Sequence, residues 1–316
     1  MMKTRMQKFI NLKNDFGWIF TFKWLYFRIT KQYDKYIKII EEYLTLYFKP
    51  EIDKYRKLTK IENEEAINKT IWVCWWQGEE LMPVLCKICY QNLCKNTPKD
   101  YNIKLITKDN YQKYTSIPNS IIEKMEQEII SITQFSDILR QSLLLNNGGI
   151  WLDASIWVTK QFVNYIDLKR TFWSIKLPSI NDRNIWGQII SEGMWQGFIL
   201  AGKKGCLVYK FVFETMCKYC NEHNSMIDYF LQNMLLRIAY NNIPLIKNMI
   251  DAVPISNVHL YDLYRYMNKP FDSEIWKEIC HDTGIFKLTQ KRSYKEFENG
   301  RITFYGELKK NENELI

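Results

Sequence analysis

The chain has 316 residues, 47% hydrophobic and 15% aromatic, with only 12 glycines and eight prolines. That is enough apolar mass for a sizeable core, and it excludes a disordered, collagen-like or low-complexity protein. Net charge is +9, but residues 1–60 hold 14 Lys/Arg against six Asp/Glu, so nearly all the excess sits at the amino end. No stretch approaches the roughly 18–20 apolar residues of a spanning helix, and no signal peptide with a cleavage site is evident. The expected compartment is the cytoplasm.

The basic segment reads as a helical arm. In FGWIFTFKWLYFRITKQYDKY, Trp18, Phe22, Leu25, Ile29 and Tyr36 cluster on a helical wheel, while Lys13, Arg28 and Lys31 point the opposite way. Phe16, Phe20 and Trp24 fall nearer the basic side, so the segregation is imperfect. Two partners suit such a helix. One is an anionic membrane surface, which would make the protein peripheral on the inner face of the plasma membrane. The other is an apolar surface of the same chain or of a second subunit, giving a homo-oligomer. No recognition module accompanies the charge, which argues against nucleic acid.

The arm continues through Glu41–Lys60 with a break at Lys49-Pro50, because the residue before proline is driven out of the helical region. Glu62–Lys69 is a polar connector, so the expected division is 1–69 as arm and 70–316 as one α/β domain. Ile71–Trp75 is β-prone and ends at the turn Gln77–Glu80; a helix at Pro83–Cys94 and a strand at Asn102–Ile106 follow. That alternation predicts a parallel α/β sheet with crossover helices. Thr107–Tyr111 reads as a loop, Ile117-Pro118 as a turn and Ile121–Ile130 as an amphipathic helix. Cys86-x-x-Cys89 and Cys217-x-x-Cys220 have the spacing of zinc half-sites, yet each lies in an apolar helix-patterned segment, and the three histidines are scattered. Buried free thiols in a reducing compartment are the expectation.

The central stretch is Phe135–Lys160. Ile138, Leu139, Ser142, Leu143 and Leu145 share one apolar arc at helical spacing, and Asn146-Asn147-Gly148-Gly149 stops the helix with residues that tolerate left-handed backbone. Ile150–Leu152 is a buried strand, and Asp153 follows at its carboxyl end, where open α/β sheets bind ligands. Asp137 and Arg140 share a second helix face. On spacing alone they read as an i,i+3 ion pair of small value, and Asp153 as a strand-end turn residue. Downstream, Thr171–Lys176 predicts a strand, Ser179–Trp186 a loop long enough for a lid, and Trp195–Gly202 a strand and turn. Leu207–Tyr219 and Ile227–Tyr240 predict helices, with Asp228 in the first turn of the second, suiting its positive end.

Taken whole, Ser136-Asp137-x-x-Arg140 followed by Gly148-Gly149-x-x-x-Asp153-x-Ser155 resembles the DXD-containing region shared by Och1-like mannosyltransferases and the large clostridial glucosylating toxins. More closely it is similar to the capsular polysaccharide synthesis protein family, strongly over about 71–160 and more loosely to about 291. The resemblance implies a GT-A type nucleotide-sugar-binding fold. The implied activity is a hexosyltransferase moving a sugar from a nucleotide-sugar, UDP-linked, to a saccharide or lipid-linked saccharide acceptor of a capsular or cell-surface polysaccharide. It also implies retention of configuration and assistance from a metal ion.

The run IWVCWWQG resembles the family's opening strand. Trp75 matches the tryptophan that stacks on the base, with Cys74 and Gln77 flanking it. By the same resemblance Ser136, Asp137 and Arg140 take the donor sugar and diphosphate, Asp153 anchors Mn2+ or Mg2+, and Asp228 faces the acceptor. Hard oxygen ligands suit those ions, which act as Lewis acid and template.

Two positions depart from the family pattern. Ser155 replaces the second aspartate of D-x-D, which predicts weaker cation affinity with Ser155 binding directly or through water. Phe286-Lys287-Leu288-Thr289 has phenylalanine where the family segment begins with histidine, and His281 substitutes only if its loop folds back. Lys287 and Lys291 remain to face a diphosphate. Two alternatives stay open: a non-catalytic sugar-nucleotide-binding subunit of a capsule assembly complex, and a glycoside hydrolase, for which no second carboxylate at the needed separation is specified.

Overall fold

A computed structural model describes residues 2–59, 66–178 and 186–310. Most of the polar connector and of the expected lid at Ser179–Trp186 lies outside the described residues. Helices α1 (Met2–Ile29), α2 (Tyr33–Tyr47) and α3 (Lys49–Arg56) form the amino-terminal segment, outside the sheets. The break expected at Lys49-Pro50 falls at Phe48, and Pro50 sits in the first turn of α3, where its missing N–H has no helical partner to lose.

β1 (Thr70–Cys74), α4 (Val84–Asn96) and β2 (Asn102–Ile106) follow in βαβ order, and the two strands pair in parallel. α5 (Asn119–Glu126) leads into α6 (Ile132–Asn147), whose start is fixed by reciprocal capping between Ser131 and Gln134. Gly148, at φ +68, closes α6; a Cβ there would stand 2.7 Å from the backbone N of Lys204, so only glycine fits the turn. β3 (Gly149–Leu152) emerges at once and lies parallel to β1. The predicted helix–turn–strand unit is therefore present.

The remaining elements that position the site are β4 (Ile156–Val158), β5 (Phe172–Ser174), α7 (Trp186–Ser191), β6 (Ile199–Gly202), α8 (Leu207–Glu222), α9 (Leu231–Asn242) and β7 (Ile285–Lys287). The main sheet runs β2-β1-β3-β6-β5, parallel from β2 to β3 and antiparallel on both sides of β6. β4 and β7 make a separate antiparallel ladder. The architecture is mixed α/β, as the sequence predicts.

One apolar core runs from the amino-terminal helices (Leu44, Phe48, Tyr55) through the sheet (Ile150, Leu200) to α8 and α9 (Phe211, Leu235). A smaller second core joins α4 to Trp157, Phe286 and the helices Ser273–Cys280 and Phe304–Lys310. Cys86 faces the first core and Cys89 the second, so this C-x-x-C pair does not converge on one ion. All eight cysteines are free; Cys94 is exposed and Cys74 and Cys280 are half-buried, so the expected burial holds for five of them.

Two expectations need correction. The second predicted helix begins at Leu231, and Asp228 lies in the loop before it. On α1 the alternative in which the Trp18 stripe packs on the same chain is not what is found: Phe16 and Trp24 are buried, whereas Trp18 (52% exposed), Phe22 (56%) and Ile29 (70%) are open to solvent. The kink at Gly17 (φ 78, ψ 167) precedes Trp18, Phe22, Trp24 and Ile29 alike, so their opposite exposures belong to one uninterrupted helical stretch; Tyr36 lies on a different helix. Among the described residues, no helix is long and apolar enough to cross a membrane.

Candidate functional site

α6 buries Phe135, Ile138, Leu139 and Leu143 against the core, and its other face brings Asp137 and Arg140 to a cleft of about 690 Å³. Asp153 and Ser155 enter the same cleft from the segment between β3 and β4, and Lys287 enters from β7. A larger cavity of about 870 Å³ lies between the arm and α9. Its charges are largely satisfied internally, with Arg237 held by Glu41 and Glu192, so it has the chemistry of a packed seam.

Arg140 is the hub of the cleft. Its Nη1 lies 3.1 Å from Asp137 Oδ1 and donates to Gly197 O at 2.5 Å and Gln232 Oε1 at 2.8 Å. Its Nη2 donates to Asp153 Oδ1 at 3.1 Å, and the guanidinium lies 4.8 Å from the Trp151 ring. A planar fork with several donors can span two carboxylates and a carbonyl; a lysine cannot. Asp153 Oδ1 also accepts from Trp151 Nε1 at 3.0 Å, while Oδ2 accepts from Lys287 Nζ at 2.8 Å. Lys287 Nζ donates in addition to Ser155 Oγ at 3.0 Å. Asp137 and Asp153 are thus paired with Arg140 and Lys287, and Lys291 and Arg292 add two further cations to the lining of the cleft.

The two carboxyls respond differently to that enclosure. Burial raises the pKa of Asp137 to about 6, helped by the charge on Asp153 and opposed by Arg140. Burial also acts on Asp153, but Lys287 and Arg140, with hydrogen bonds from Lys287 and Trp151, outweigh it and hold this carboxyl below its ordinary value. Asp153 is the permanent anion of the pair. Cys74, at the end of β1, hydrogen-bonds with Ser136 and feels both Arg140 and Asp153; burial pushes its thiol up to about 12, so it stays neutral.

Of the residues singled out in the sequence, Asp137, Arg140, Asp153, Ser155, Lys287 and Lys291 line the cleft. Ser136 and Cys74 stand beside them. Trp75 and Gln77 do not line it: Trp75 is half-buried with its indole N–H on Leu81 O at 3.0 Å, and Gln77 is exposed. Trp72 packs in the core with its indole N–H on Gly148 O. Sequence reasoning missed Trp151 and Gln232, both of which hold charged groups of the cleft. For Gln232 a signal existed, the polar pair Gln232-Asn233 set between apolar Leu231 and Met234–Leu236.

Asp228 is placed elsewhere. It is buried, accepts Tyr36 O–H at 2.8 Å and Phe230 N–H at 2.7 Å, and lines an adjoining cavity of about 600 Å³ between α1, α2 and the loop 226–230. Trp24 Nε1 donates to Ile227 O at 2.8 Å beside it. Its first-turn reading fails because the helix starts later, and its contacts tie the arm to the loop. The adjoining cavity shares Tyr229, Phe230 and Lys291 with the cleft.

The residues do not fit a divalent ion as they stand. Asp153 and Ser155, the expected ligands, converge on the Lys287 ammonium, and the second oxygen of Asp153 is taken by Arg140 and Trp151. Phe286 is fully buried in the second core, and His281 is exposed and paired with Asp282 at 3.0 Å, so neither position contributes a ligand. Among the described residues, no group of three His, Cys, Asp or Glu is arranged to hold a metal.

A charged cleft at the carboxyl end of the parallel strands defines an α/β protein with a ligand site at the usual edge of its sheet. The chain belongs to the capsular polysaccharide synthesis protein family, whose model matches residues 23–308. The family resemblance read from the motif therefore extends over most of the chain. Among solved structures the chain is similar to the PaToxG glycosyltransferase, at 15% identity and a TM-score of 0.42, over 80% of this chain and 99% of that one. No curated protein matches it.

Proposed function

We propose that the protein is a glycosyltransferase of the GT-A type that moves a sugar from a nucleotide-sugar to a growing capsular or cell-surface polysaccharide. One observation carries this reading: Asp137, Arg140, Asp153 and Lys287 meet in one cleft at the carboxyl end of β3. Two of these groups are cations that can receive a diphosphate, and two are carboxylates that can receive sugar hydroxyls. A glycoside hydrolase would instead need two carboxyls free to act as acid and base or nucleophile, and here both are tied to one arginine.

In this reading residues 70–316 are the catalytic unit and residues 1–69 the arm. The donor is UDP-linked, with Trp75 as the base platform and Cys74, Gln77 and Ser136 around it. Arg140 and Lys287 hold the diphosphate, Lys291 guards its outer side, and Asp137 orients the sugar. The acceptor oxygen bonds to the anomeric carbon as the sugar–phosphate bond breaks. The bonding pair leaves on the diphosphate, which takes the acceptor's proton on the same face, so configuration is retained. No step passes through Mn2+ or Mg2+, because the side chains present do not fit them.

The acceptor side is the adjoining cavity, whose Arg28, Lys31, Lys291 and Tyr229 suit a saccharide with a phosphate, such as a lipid-linked one. Trp18, Phe22 and Ile29 form an exposed apolar face on α1, and the arm is basic, which suits a peripheral seat on an anionic bilayer. The experiment is turnover of a panel of UDP- and GDP-sugars. Release of nucleoside diphosphate from at least one is expected; binding without release points to the non-catalytic subunit.

A further inference from the structure

We propose that Lys287 is the resident cation of this site, and that its ammonium, in place of a divalent metal ion, neutralises the donor's diphosphate. This rests on the donor-binding reading above and goes beyond it, because it assigns the charge that the reaction needs to a side chain.

The position is the first argument. Lys287 Nζ stands 2.8 Å from Asp153 Oδ2 and 3.0 Å from Ser155 Oγ, the two side chains of the D-x-S motif that a metal would have to share. The second is that the position is built into the backbone. Lys287 is opposite Ile156 in the β4–β7 ladder, and Leu288 N donates to Ser155 O at 3.0 Å. Successive strand residues face opposite ways, so burying Phe286 in the second core sends Lys287 to the cleft. Its ammonium lies 4.5 Å from the Phe198 ring, which limits where it can move. This lysine does not reach the site from a free surface loop.

Charge is the third argument. Serine at position 155 removes the second carboxylate of the D-x-D pattern, and one carboxylate suits one ammonium. Asp137 is neutralised by Arg140. Exchanging Lys287 for a divalent ion would raise the cleft's net charge by one and offer the ion a single free carboxylate oxygen. Mg2+ or Mn2+ prefers about six oxygens, of which this chain would supply two. An ammonium needs no such cage.

In the transfer step the sugar–phosphate bond breaks and its electron pair stays on the diphosphate oxygen. Lys287 exchanges its bond to Asp153 for one to that oxygen and keeps its own proton. The acceptor oxygen forms the new bond to the anomeric carbon, and the acceptor's proton goes to the diphosphate. Asp153 is then a positioning residue for Lys287 and Arg140, aiming two cations at one leaving group.

The test uses the full chain, with UDP and GDP as probes by isothermal titration and Mn2+ alone followed by electron paramagnetic resonance. Nucleotide affinity and donor hydrolysis should be the same in EDTA as in Mn2+. Wild type should bind no stoichiometric Mn2+ at millimolar concentration. Lys287→Met should weaken nucleotide binding roughly ten- to a hundred-fold, the loss of one charge-assisted contact, and Lys287→Arg should restore most of it. Nucleotide binding that disappears in EDTA and returns with Mn2+ overturns the proposal. So does stoichiometric Mn2+ binding by wild type that Asp153→Asn abolishes. If neither nucleotide binds in EDTA or in Mn2+, the glycosyltransferase reading fails and this inference with it. A metal-restored titration overturns the inference alone.

Discussion

Asp153 and Asp228 are two carboxylates that the family resemblance assigns to one active site, and the structure gives them different surroundings. Asp153 is held by two cations and an indole N–H. Asp228 is held by a phenol and a backbone amide. Ionic partners that must be desolvated contribute little net stability and are costly to break singly. Neutral donors from distant segments act as ordinary structural hydrogen bonds. The difference teaches that what surrounds a buried carboxylate, more than its burial, separates a charged cleft from a tether.

The largest expected effect is at the hub. Arg140→Lys cannot bridge Asp137, Asp153 and Gly197, and breaking a buried pair costs about 3–5 kcal/mol. Denaturant unfolding should show a loss of that size, with turnover falling below detection. A variant with near-wild-type stability and activity would place the hub among surface pairs.

Asp137→Asn should lower turnover efficiency by roughly ten- to a hundred-fold through one charged hydrogen bond. The pH profile sharpens this. With its pKa raised from 3.8 to about 6, Asp137 stabilises the fold fully below 3.8 and loses that contribution as pH rises through 6. In the proposed reading turnover needs the carboxylate, so wild-type turnover should climb through about pH 6, and Asp137→Asn should flatten that limb. An unchanged limb would assign it to another group.

At the tether, Tyr36→Phe leaves Asp228 Oδ2 without its donor and should cost about 1–3 kcal/mol, with donor hydrolysis intact. Asp228→Asn keeps one acceptor oxygen and should cost less, about 1 kcal/mol. Loss of hydrolysis in a folded Asp228→Asn protein would erase the contrast and return this residue to the chemistry. The smallest effect on the enzyme itself is expected on the exposed face of α1. Trp18→Ser with Phe22→Ser should leave donor hydrolysis unchanged and abolish co-sedimentation with phosphatidylglycerol vesicles. Retained sedimentation would take the membrane away from that face.

The α6–β3 unit was legible because helical period, a glycine pair and an apolar run all agree within 20 residues. The strand-end place of Asp153 followed from it. The partners of both carboxylates were not legible, because they are remote: Lys287 is 134 positions from Asp153, and Tyr36 is 192 positions from Asp228. The β4–β7 ladder that delivers Lys287 is three residues long, too short for a periodic signal. On α1 the wheel separated two faces but did not say which one packs, because Trp24 is buried by partners outside its own helix, Ile227 and Tyr36.

The most direct test of the account is donor turnover by wild type and Asp153→Asn on the same nucleotide-sugar panel, with circular dichroism to verify the fold. The account predicts that wild type releases nucleoside diphosphate from at least one donor. The folded variant should be slower by roughly a hundred- to a thousand-fold, the scale of losing one preorganised electrostatic group. Equal turnover by the two proteins, or binding with no release by either, would contradict it.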